Sequence, residues 1–307
     1  MTDSTTTLVT GAAGLIGRRV VDLLRATGRE VLATDVRRAD DVDAPFLELD
    51  LRDRDAVNAL ADRGIDAIVH CGGFSGPMVG TSTPQLLLDV NVGGTANLLE
   101  LGRTVGARRF VFASTATVYG PTIGDFVDES VLPRPANIYS ASKFACEQLV
   151  DAYAAHYSEG TLSLRLAWVY GPHRTTDCVV RDMLTAALDG GAFEADFGEG
   201  FPRQFIHVDD AAQAFQLALD AAAPRLTAYN ITGEERHDLD EVGALVRERF
   251  PSADIRLAPG PDPLDVEQAR FHTTAARTDL GFVPAIPLSE GIASYAAWLA
   301  DTRAAAA

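Results

Sequence analysis

The sequence predicts an α/β fold, a doubly wound parallel sheet with a smaller C-terminal lobe, on two observations. In the first half of the 307 residues, short β-branched apolar runs alternate with amphipathic stretches of helical period, the pattern of a parallel sheet covered by helices on both faces. From about residue 172, glycine and proline become frequent and the helical stretches shorten. We therefore expect a main domain over 1–171 and a lobe over 172–307, partly interleaved, with 209–230 as a segment that can return to the main sheet.

The predicted elements follow one another at regular intervals. Strands are predicted at residues 6–11, 30–35, 46–50, 67–71, 108–114 and 162–167. Helices are predicted at residues 15–27, 53–61, 84–104, 137–157, 176–189, 209–222, 238–249 and 288–301. Asn137 follows a proline-rich stretch that stops any earlier element, so its side chain is expected to cap the helix that begins there.

Composition excludes several classes of protein. The formal charge of −17 repels nucleic acid and anionic lipid, so we expect neither as a partner. No run approaches the roughly 18 apolar residues of a membrane span, and the N-terminus has no basic segment, which predicts a cytoplasmic protein. The three cysteines are widely spaced and the six histidines form no ligand motif, so neither a disulfide framework nor a metal site is expected.

A glycine-rich stretch, "LVTGAAGLIGRRV", lies between the first strand and the first helix. Gly11 permits a tight turn, Gly14 lets the backbone approach a pyrophosphate, and Gly17 allows close helix packing. Asp35 ends the second strand 18 residues beyond Gly17, where a carboxylate can bind the hydroxyls of an adenosine ribose. The stretch therefore predicts a Rossmann-type dinucleotide site, to which Leu15 and Ile16 also contribute.

The choice of dinucleotide depends on charges near the second strand. Asp35 favours NAD, because a 2′-phosphate would meet its negative charge, but Arg37 and Arg38 could bind that phosphate, so NADP stays the alternative. Asp50, after the third strand, is a candidate acceptor for the adenine amino group, with Leu51 beside the ring. An equally supported alternative is that Asp50 is the N-cap of helix 53–61.

The stretch "YSASK" carries the strongest chemical signal. Lys143 is the only lysine among the 26 lysines and arginines of the chain, and it lies four residues after Tyr139, on the same helical face. A nearby ammonium stabilises a phenolate, which lowers the tyrosine pKa from about 10 toward the working pH and makes the phenol a general acid–base. The alternative is a solvated lysine on an exposed face.

Two hydroxyls, Ser114 and Thr115, end the fifth strand, at the edge where open α/β sheets bind ligands. Either could bind a reacting oxygen, although serine and threonine at a strand end are also ordinary turn residues.

Taken together, "GAAGLIG", "NVGGT", "STATVYG" and "YSASK" resemble the extended short-chain dehydrogenase/reductase family, in its epimerase/dehydratase branch. The resemblance implies that Tyr139 is the acid–base, that Lys143 tunes it and binds ribose, and that Thr115 rather than its neighbour Ser114 steadies the reacting oxygen. It also implies a homodimer built from helices 84–104 and 137–157. Further cofactor contacts are implied at Cys71, Gly72, Gly73, Asn91 and Val169.

The chain departs from the nucleotide-sugar members of that family at two places. Trp168 stands where an asparagine usually helps to hold the substrate, and "RLAPGPDP" lacks the phosphate-binding arginine that usually precedes a Gly-Asp pair, since Arg256 is displaced. Arg203 matches a family position and is the one anion-binding arginine that remains. Two missing polar contacts would weaken binding of a diphosphate.

Two loops could add substrate contacts. Phe74 and Ser75, with Met78, could wall a compact pocket, or their glycine-rich loop could be purely structural. His173 and Arg174 follow "YGP" and either face the substrate or are surface charges.

The sequence leaves three functions open. We favour an NAD(P)-dependent oxidoreductase that moves a hydride at a carbinol carbon, as a net dehydrogenase of a small non-nucleotide sugar or polyol. The alternative is a nucleotide-sugar 4-epimerase with tightly bound NAD. The third, a nucleotide-sensing protein without chemistry, does not explain Tyr139 and Lys143, because binding alone needs no tuned phenol.

Overall fold

The computed structural model of the protein describes residues 5–157, 160–263 and 265–306, in which strands and helices alternate. The strands are β1 (Thr6–Thr10), β2 (Glu30–Asp35), β3 (Phe46–Glu48), β4 (Ile65–His70), β5 (Arg109–Thr115), β6 (Phe126–Val127), β7 (Thr161–Leu166), β8 (Trp168–Tyr170), β9 (Ala192–Glu199), β10 (Pro202–His207), β11 (Ala228–Ile231), β12 (Arg236–Asp238), β13 (Asp254–Pro259) and β14 (Arg270–Phe271). The α-helices are α1 (Leu15–Ala26), α2 (Arg54–Asn58), α3 (Pro84–Leu88), α4 (Gly94–Val105), α5 (Ile138–Tyr157), α6 (Val179–Asp189), α7 (Val208–Asp220), α8 (Leu239–Arg249), α9 (Thr274–Leu280) and α10 (Leu288–Ala306).

The main sheet has seven parallel strands in the order β3-β2-β1-β4-β5-β7-β11. The apolar residues of α1 and α7 cover one face of this sheet, and those of α4 and α5 cover the other. The central strands β5 and β7 are buried along their whole length, as expected for strands covered on both faces. The strand order reverses between β1 and β4, where open α/β sheets bind ligands outside the carboxyl ends of their strands. The predicted fold class is confirmed.

The lobe has a smaller sheet, β12-β10-β8, a β13-β9 pair, and its own apolar core between α6, α8 and α10. Strand β11 follows α7 and pairs with β7, so this part of the chain does return to the main sheet. The domain boundary at 171 stays a prediction. Within the described part of the chain, each helix is too short or too polar to span a membrane.

Local structure departs from the predicted elements in a few places. The predicted helix 84–104 is divided by a π-helical turn at Asp89–Gly93, and the predicted helix 53–61 ends as a 3-10 turn at Ala59–Arg63. Asn137 caps α5, because its Oδ1 accepts the Ser140 N–H at 2.8 Å, which confirms that prediction. The lobe strands and α9 were not predicted. Strands β8, β12 and β14 have three residues or fewer, too few for a clear periodicity, but β9, with eight residues, was missed as well.

Candidate active site

A cavity of about 690 Å³ lies along the carboxyl ends of the main-sheet strands and extends to the lobe. It collects most of the residues that the sequence singles out, from elements far apart in the chain. The predicted cofactor contacts that line it are Gly11, Gly14, Leu15, Ile16, Gly17, Asp35, Arg37, Asp50, Leu51, Cys71, Gly72, Gly73, Tyr139, Lys143 and Val169. The predicted substrate contacts that line it are Phe74, Ser75, Thr115, Tyr139, Trp168 and Arg203.

The glycine loop at one end of the cavity fits a pyrophosphate. Gly11 has φ +69°, and a Cβ there would lie 2.6 Å from the carbonyl carbon of Cys71. A Cβ on Gly17 would collide with the Gly11 carbonyl oxygen, so the start of α1 can approach this loop only without a side chain. Gly14 is the N-cap of α1 and offers no side chain to its first turn, which also holds no acidic residue. The N–H groups of that turn therefore suit an anion.

Asp35 lies at the end of β2, fixed against the glycine loop. Its Oδ2 accepts the Ala13 N–H at 3.1 Å and its Oδ1 accepts the Val36 N–H at 2.7 Å. Arg37 lines the cavity, whereas Arg38 pairs with Asp40 at 3.4 Å. The carboxylate predicted to bind ribose therefore reaches the cavity with one of the two neighbouring arginines.

Asp50 lines the cavity but does not cap a helix. Its carboxylate accepts Arg52 Nε at 3.0 Å, and the hydrogen bond from Arg52 is the main reason why the pKa of Asp50 is lowered. The cap of α2 is Asp53, whose Oδ1 accepts the Ala56 N–H at 3.0 Å. The capping alternative for Asp50 is therefore wrong, because α2 begins one residue later than predicted.

Tyr139 lines the cavity together with residues of both the predicted cofactor set and the predicted substrate set. It projects from the first turn of α5 and is 6% exposed. Its hydroxyl is hydrogen-bonded with Thr115, with the backbone of Gly76 and with Ser75. These contacts bring together a phenol, two aliphatic hydroxyls and a backbone N–H at one point.

Lys143 lies one turn further along α5 and is buried. Its Nζ donates to the Ala113 carbonyl at 2.9 Å and lies 4.7 Å from the centroid of the Phe112 ring. Burial lowers the pKa of this ammonium, and the nearby Cys146, Cys71 and Glu147 oppose that effect. The lysine is therefore a fixed cavity cation, and the alternative of a solvated surface lysine is wrong.

The pKa of Tyr139 differs in direction from the expectation. Burial raises it above the ordinary value, and the hydrogen bonds from Thr115, Gly76 and Ser75 and the charge of Arg174 lower it only in part. The expected net lowering by Lys143 is wrong for the protein alone, because desolvation of the phenolate is the largest effect.

Ser114 lines the cavity, but its hydroxyl belongs to a buried polar network that the sequence analysis missed. Its hydroxyl donates to Glu147, and Glu147 Oε2 accepts Arg165 Nη2 at 2.7 Å. Arg165 Nη1 contacts the Tyr119 hydroxyl at 2.8 Å, which in turn donates to Asn230 Oδ1 at 2.8 Å. The Ser114 hydroxyl is thus used in a structural hydrogen bond. The sequence contained a sign of this network, because Glu147 continues the four-residue spacing of Tyr139 and Lys143 and so lies on the same face of α5.

Asn91 lies behind the lining of the cavity, and its predicted cofactor contact stays a prediction. Its Oδ1 accepts the Phe74 N–H at 2.8 Å and its Nδ2 donates to Ser142 Oγ at 3.0 Å. The amide is used within the protein, where it anchors the loop that follows β4 to α5. Phe74 and Ser75 of this loop face the cavity, whereas Met78 packs against Gly76.

The far end of the cavity is lined by Trp168 and Arg203. The Arg203 Cζ lies 4.2 Å from the centroid of the Trp168 ring, and Asp265 Oδ2 accepts both Arg203 Nε at 2.9 Å and Trp168 Nε1 at 2.8 Å. Asp262 also pairs with Arg203, and all three charged side chains are buried. Sequence reasoning missed both aspartates, because their loop carries no periodic signal.

Of the two residues that follow "YGP", Arg174 lines the cavity and His173 does not. The ring of His173 lies against Trp298, with 4.9 Å between ring centroids. Arg174 therefore faces the cavity, whereas His173 fits neither alternative, because it is half-buried against Trp298 of α10.

The fold, the glycine loop and the Tyr139–Lys143 pair define a dinucleotide-dependent enzyme of the short-chain dehydrogenase/reductase type. A family model, the NAD dependent epimerase/dehydratase family, matches residues 7–232, so the chain belongs to that family. This confirms the resemblance and NAD as the family's cofactor.

The similarity to known proteins extends over almost the whole chain. A UDP-glucose 4-epimerase of Mycolicibacterium smegmatis is 30% identical over 94% of this chain and 96% of its own length. The solved structure of Thermus thermophilus UDP-glucose 4-epimerase in complex with NAD has a TM-score of 0.87 and 31% identity, covering 96% of this chain and 99% of that one. MoeE5 in complex with UDP-glucose and NAD has a TM-score of 0.86 and 30% identity, covering 97% and 99%. These relatives favour the 4-epimerase alternative over the small-sugar dehydrogenase.

Proposed function

We propose that this protein is an NAD-dependent 4-epimerase of a nucleotide sugar. The observation that carries the proposal is the single cavity in which the glycine loop, Asp35, Lys143, Tyr139 and Thr115 all lie. The similarity to nucleotide-sugar 4-epimerases over nearly the full chain supports the reaction type.

Tyr139 is the residue that moves the hydroxyl proton of the sugar. Thr115 and Ser75 hydrogen-bond to the phenol, so a sugar hydroxyl at that point would meet the tyrosine and a second hydroxyl together. Removal of the sugar hydroxyl proton needs the phenolate of Tyr139, and the phenol formed in that step returns the same proton when the carbonyl is reduced again. Because burial raises the pKa of Tyr139, the phenolate is the minor form at neutral pH, and the first step should become faster as the pH rises.

The glycine loop, Asp35 and Lys143 are the residues that would hold NAD. The N–H groups at the start of α1 suit its pyrophosphate, the Asp35 carboxylate suits ribose hydroxyls, and Lys143 offers ammonium donors in the same cavity. When bound, NAD supplies the acceptor and donor of hydride at its nicotinamide ring. The chain contributes the positions of these groups and a phenol for proton transfer.

The experiment compares purified protein with NAD on two sets of substrates. With UDP-glucose and other nucleotide sugars, we expect interconversion of the 4-epimers without lasting growth of reduced-nicotinamide absorbance. Conversion of no nucleotide sugar, combined with steady NAD reduction on a free sugar, would contradict the epimerase.

A second candidate, net dehydrogenation of a smaller sugar, has one specific observation in its favour. Arg203 is the arginine predicted to bind anions, yet Asp262 and Asp265 already compensate its charge. Trp168 occupies the position of an expected amide and donates to Asp265. This end therefore offers a diphosphate little free positive charge, and the free-sugar arm of the same experiment tests that candidate.

A further inference from the structure

We propose that Arg174 binds a carboxylate on the reacting sugar, so that the preferred substrate is a sugar acid. The inference deepens the proposed function and rests on it, because it assumes that Tyr139 marks the reacting centre. It holds for a nucleotide-linked sugar acid and for a free one.

Arg174 is an uncompensated positive charge in a chain with an excess of acid. The sequence has 43 aspartates and glutamates against 26 lysines and arginines, so an arginine readily finds a carboxylate. Within the described residues, however, the side-chain bonds of Arg174 go to backbone oxygens: Nη1 donates to Val169 O, and Nη2 donates to Asp177 O at 2.9 Å. Arg203, which lines the same cavity, is compensated twice.

Arg174 is also close to the reacting centre. Its positive charge acts on the phenol of Tyr139, and it lines the cavity together with Ser75 and Thr176. A carboxylate bound to this guanidinium would lie next to the carbinol whose proton Tyr139 moves. A neutral sugar would leave this positive charge without a counterion in the cavity, which is less favourable than pairing it with a carboxylate.

The guanidinium is held in place before any substrate arrives. Its two backbone bonds fix the plane, Arg181 Nη1 donates to the Arg174 carbonyl at 3.1 Å, and the Arg174 Cζ lies 6.0 Å from the centroid of the Trp168 ring. Each terminal nitrogen carries a second N–H beyond the one it uses, so donors remain for a ligand.

The test compares acid and neutral sugars on the NAD-loaded protein. The probes are UDP-glucuronate against UDP-glucose, and D-glucuronate against D-glucose, with Kd measured by calorimetry and kcat and KM measured separately. One of the two pairs will bind more tightly than the other. Within that pair, we expect the Kd of the acid to be at least about tenfold lower than the Kd of the neutral sugar, a size consistent with one charge-assisted interaction. Equal or tighter binding of the neutral sugar in both pairs would overturn the proposal.

The matched variants are Arg174→Gln, Arg174→Lys and, as control, Arg256→Gln at an exposed arginine of the lobe. Arg174→Gln should raise KM and Kd for the acid about 10- to 100-fold and those for the neutral sugar less than about threefold, with partial rescue in Arg174→Lys. Because the Arg174 charge lowers the pKa of Tyr139, Arg174→Gln should also shift the rising limb of the pH–rate profile to higher pH.

The variants also separate this inference from alternatives. Equal losses for acid and neutral sugars in Arg174→Gln, or a loss of NAD affinity of the same size, would show that Arg174 serves the loop or the cofactor, and the inference would be wrong. Failure of the proposed function would give a different result. No sugar would then undergo hydride transfer or epimerisation, although the acid would still bind with a lower Kd than the neutral sugar.

Discussion

The cofactor end and the substrate end of the cavity are built in different ways. The cofactor end is formed by the ends of main-sheet strands and the loops directly after them, with glycines where backbone must approach. The other end is formed by side chains of strands β8 and β10 and of the loop before β14, namely Trp168, Arg203 and Asp265, that bind one another. Family membership therefore predicts the first end well, while the second depends on pairings specific to this chain.

Two arginines make that difference concrete, because both lie near the same Trp168 ring. The Cζ of Arg203 is 4.2 Å from the ring centroid and that of Arg174 is 6.0 Å away. Arg203 is compensated by two buried carboxylates, whereas Arg174 is bonded to backbone oxygens. Whether an arginine in a cavity can bind an anionic ligand therefore depends on whether carboxylates of the protein already pair with it.

The largest effect is expected where the two ends meet, at Tyr139. Tyr139→Phe removes the proton-transferring hydroxyl and should lower kcat by about 10²- to 10⁴-fold, while NAD affinity changes little. Turnover and the Kd for NAD check this. The control is Tyr157→Phe, an exposed tyrosine on the same helix. Unchanged turnover in Tyr139→Phe would remove the basis for any catalytic function in this cavity.

A smaller effect, confined to the cofactor end, is expected at Asp35. Asp35→Asn keeps the shape but weakens charge-assisted hydrogen bonds to ribose hydroxyls, so the Kd for NAD should rise about tenfold and discrimination against NADP should fall. Titration of both dinucleotides measures this, with exposed Asp43→Asn as control. An unchanged preference between the two would mean that Asp35 does not select the cofactor.

The smallest effect, in the opposite direction, is expected at the substrate end. Asp262→Asn removes one of the two negative charges on Arg203, so UDP should bind the NAD-loaded protein about three- to tenfold more tightly. Calorimetry with UDP measures this, and Asp254→Asn, next to exposed Arg256, is the control. Weaker UDP binding in Asp262→Asn would indicate that Asp262 helps to place Arg203 for a phosphate.

Local sequence signals predicted six of the seven strands of the main sheet, all except β11, but none of the lobe strands. Strands such as β4 and β5 contain short runs of apolar residues, and these runs mark their positions in the chain. Short strands such as β12 and β14 have three and two residues, too few for a period to appear. The π-helical turn at Asp89–Gly93 is likewise invisible in a pattern of apolar residues.

The candidate site divides in the same way. Gly11, Gly17, Asp35, Tyr139 and Lys143 were found from spacing alone, because each acts through backbone geometry or a fixed helical offset. For Asn91, spacing did not reveal that its amide anchors the loop after β4 through hydrogen bonds to Phe74 and Ser142. Spacing identifies which residues share an element, but it does not reveal which hydrogen-bond partner a polar side chain takes.

The sequence by itself determined the fold class, the dinucleotide loop and the tyrosine–lysine pair, because period, turn geometry and helical offset are local properties. The tertiary structure alone decided that Asp262 and Asp265 compensate Arg203, that Glu147 engages Ser114, and that Arg174 faces the cavity next to Tyr139. Those pairings join residues far apart in the chain, and the free energy of a charge depends on the partners and burial that folding gives it.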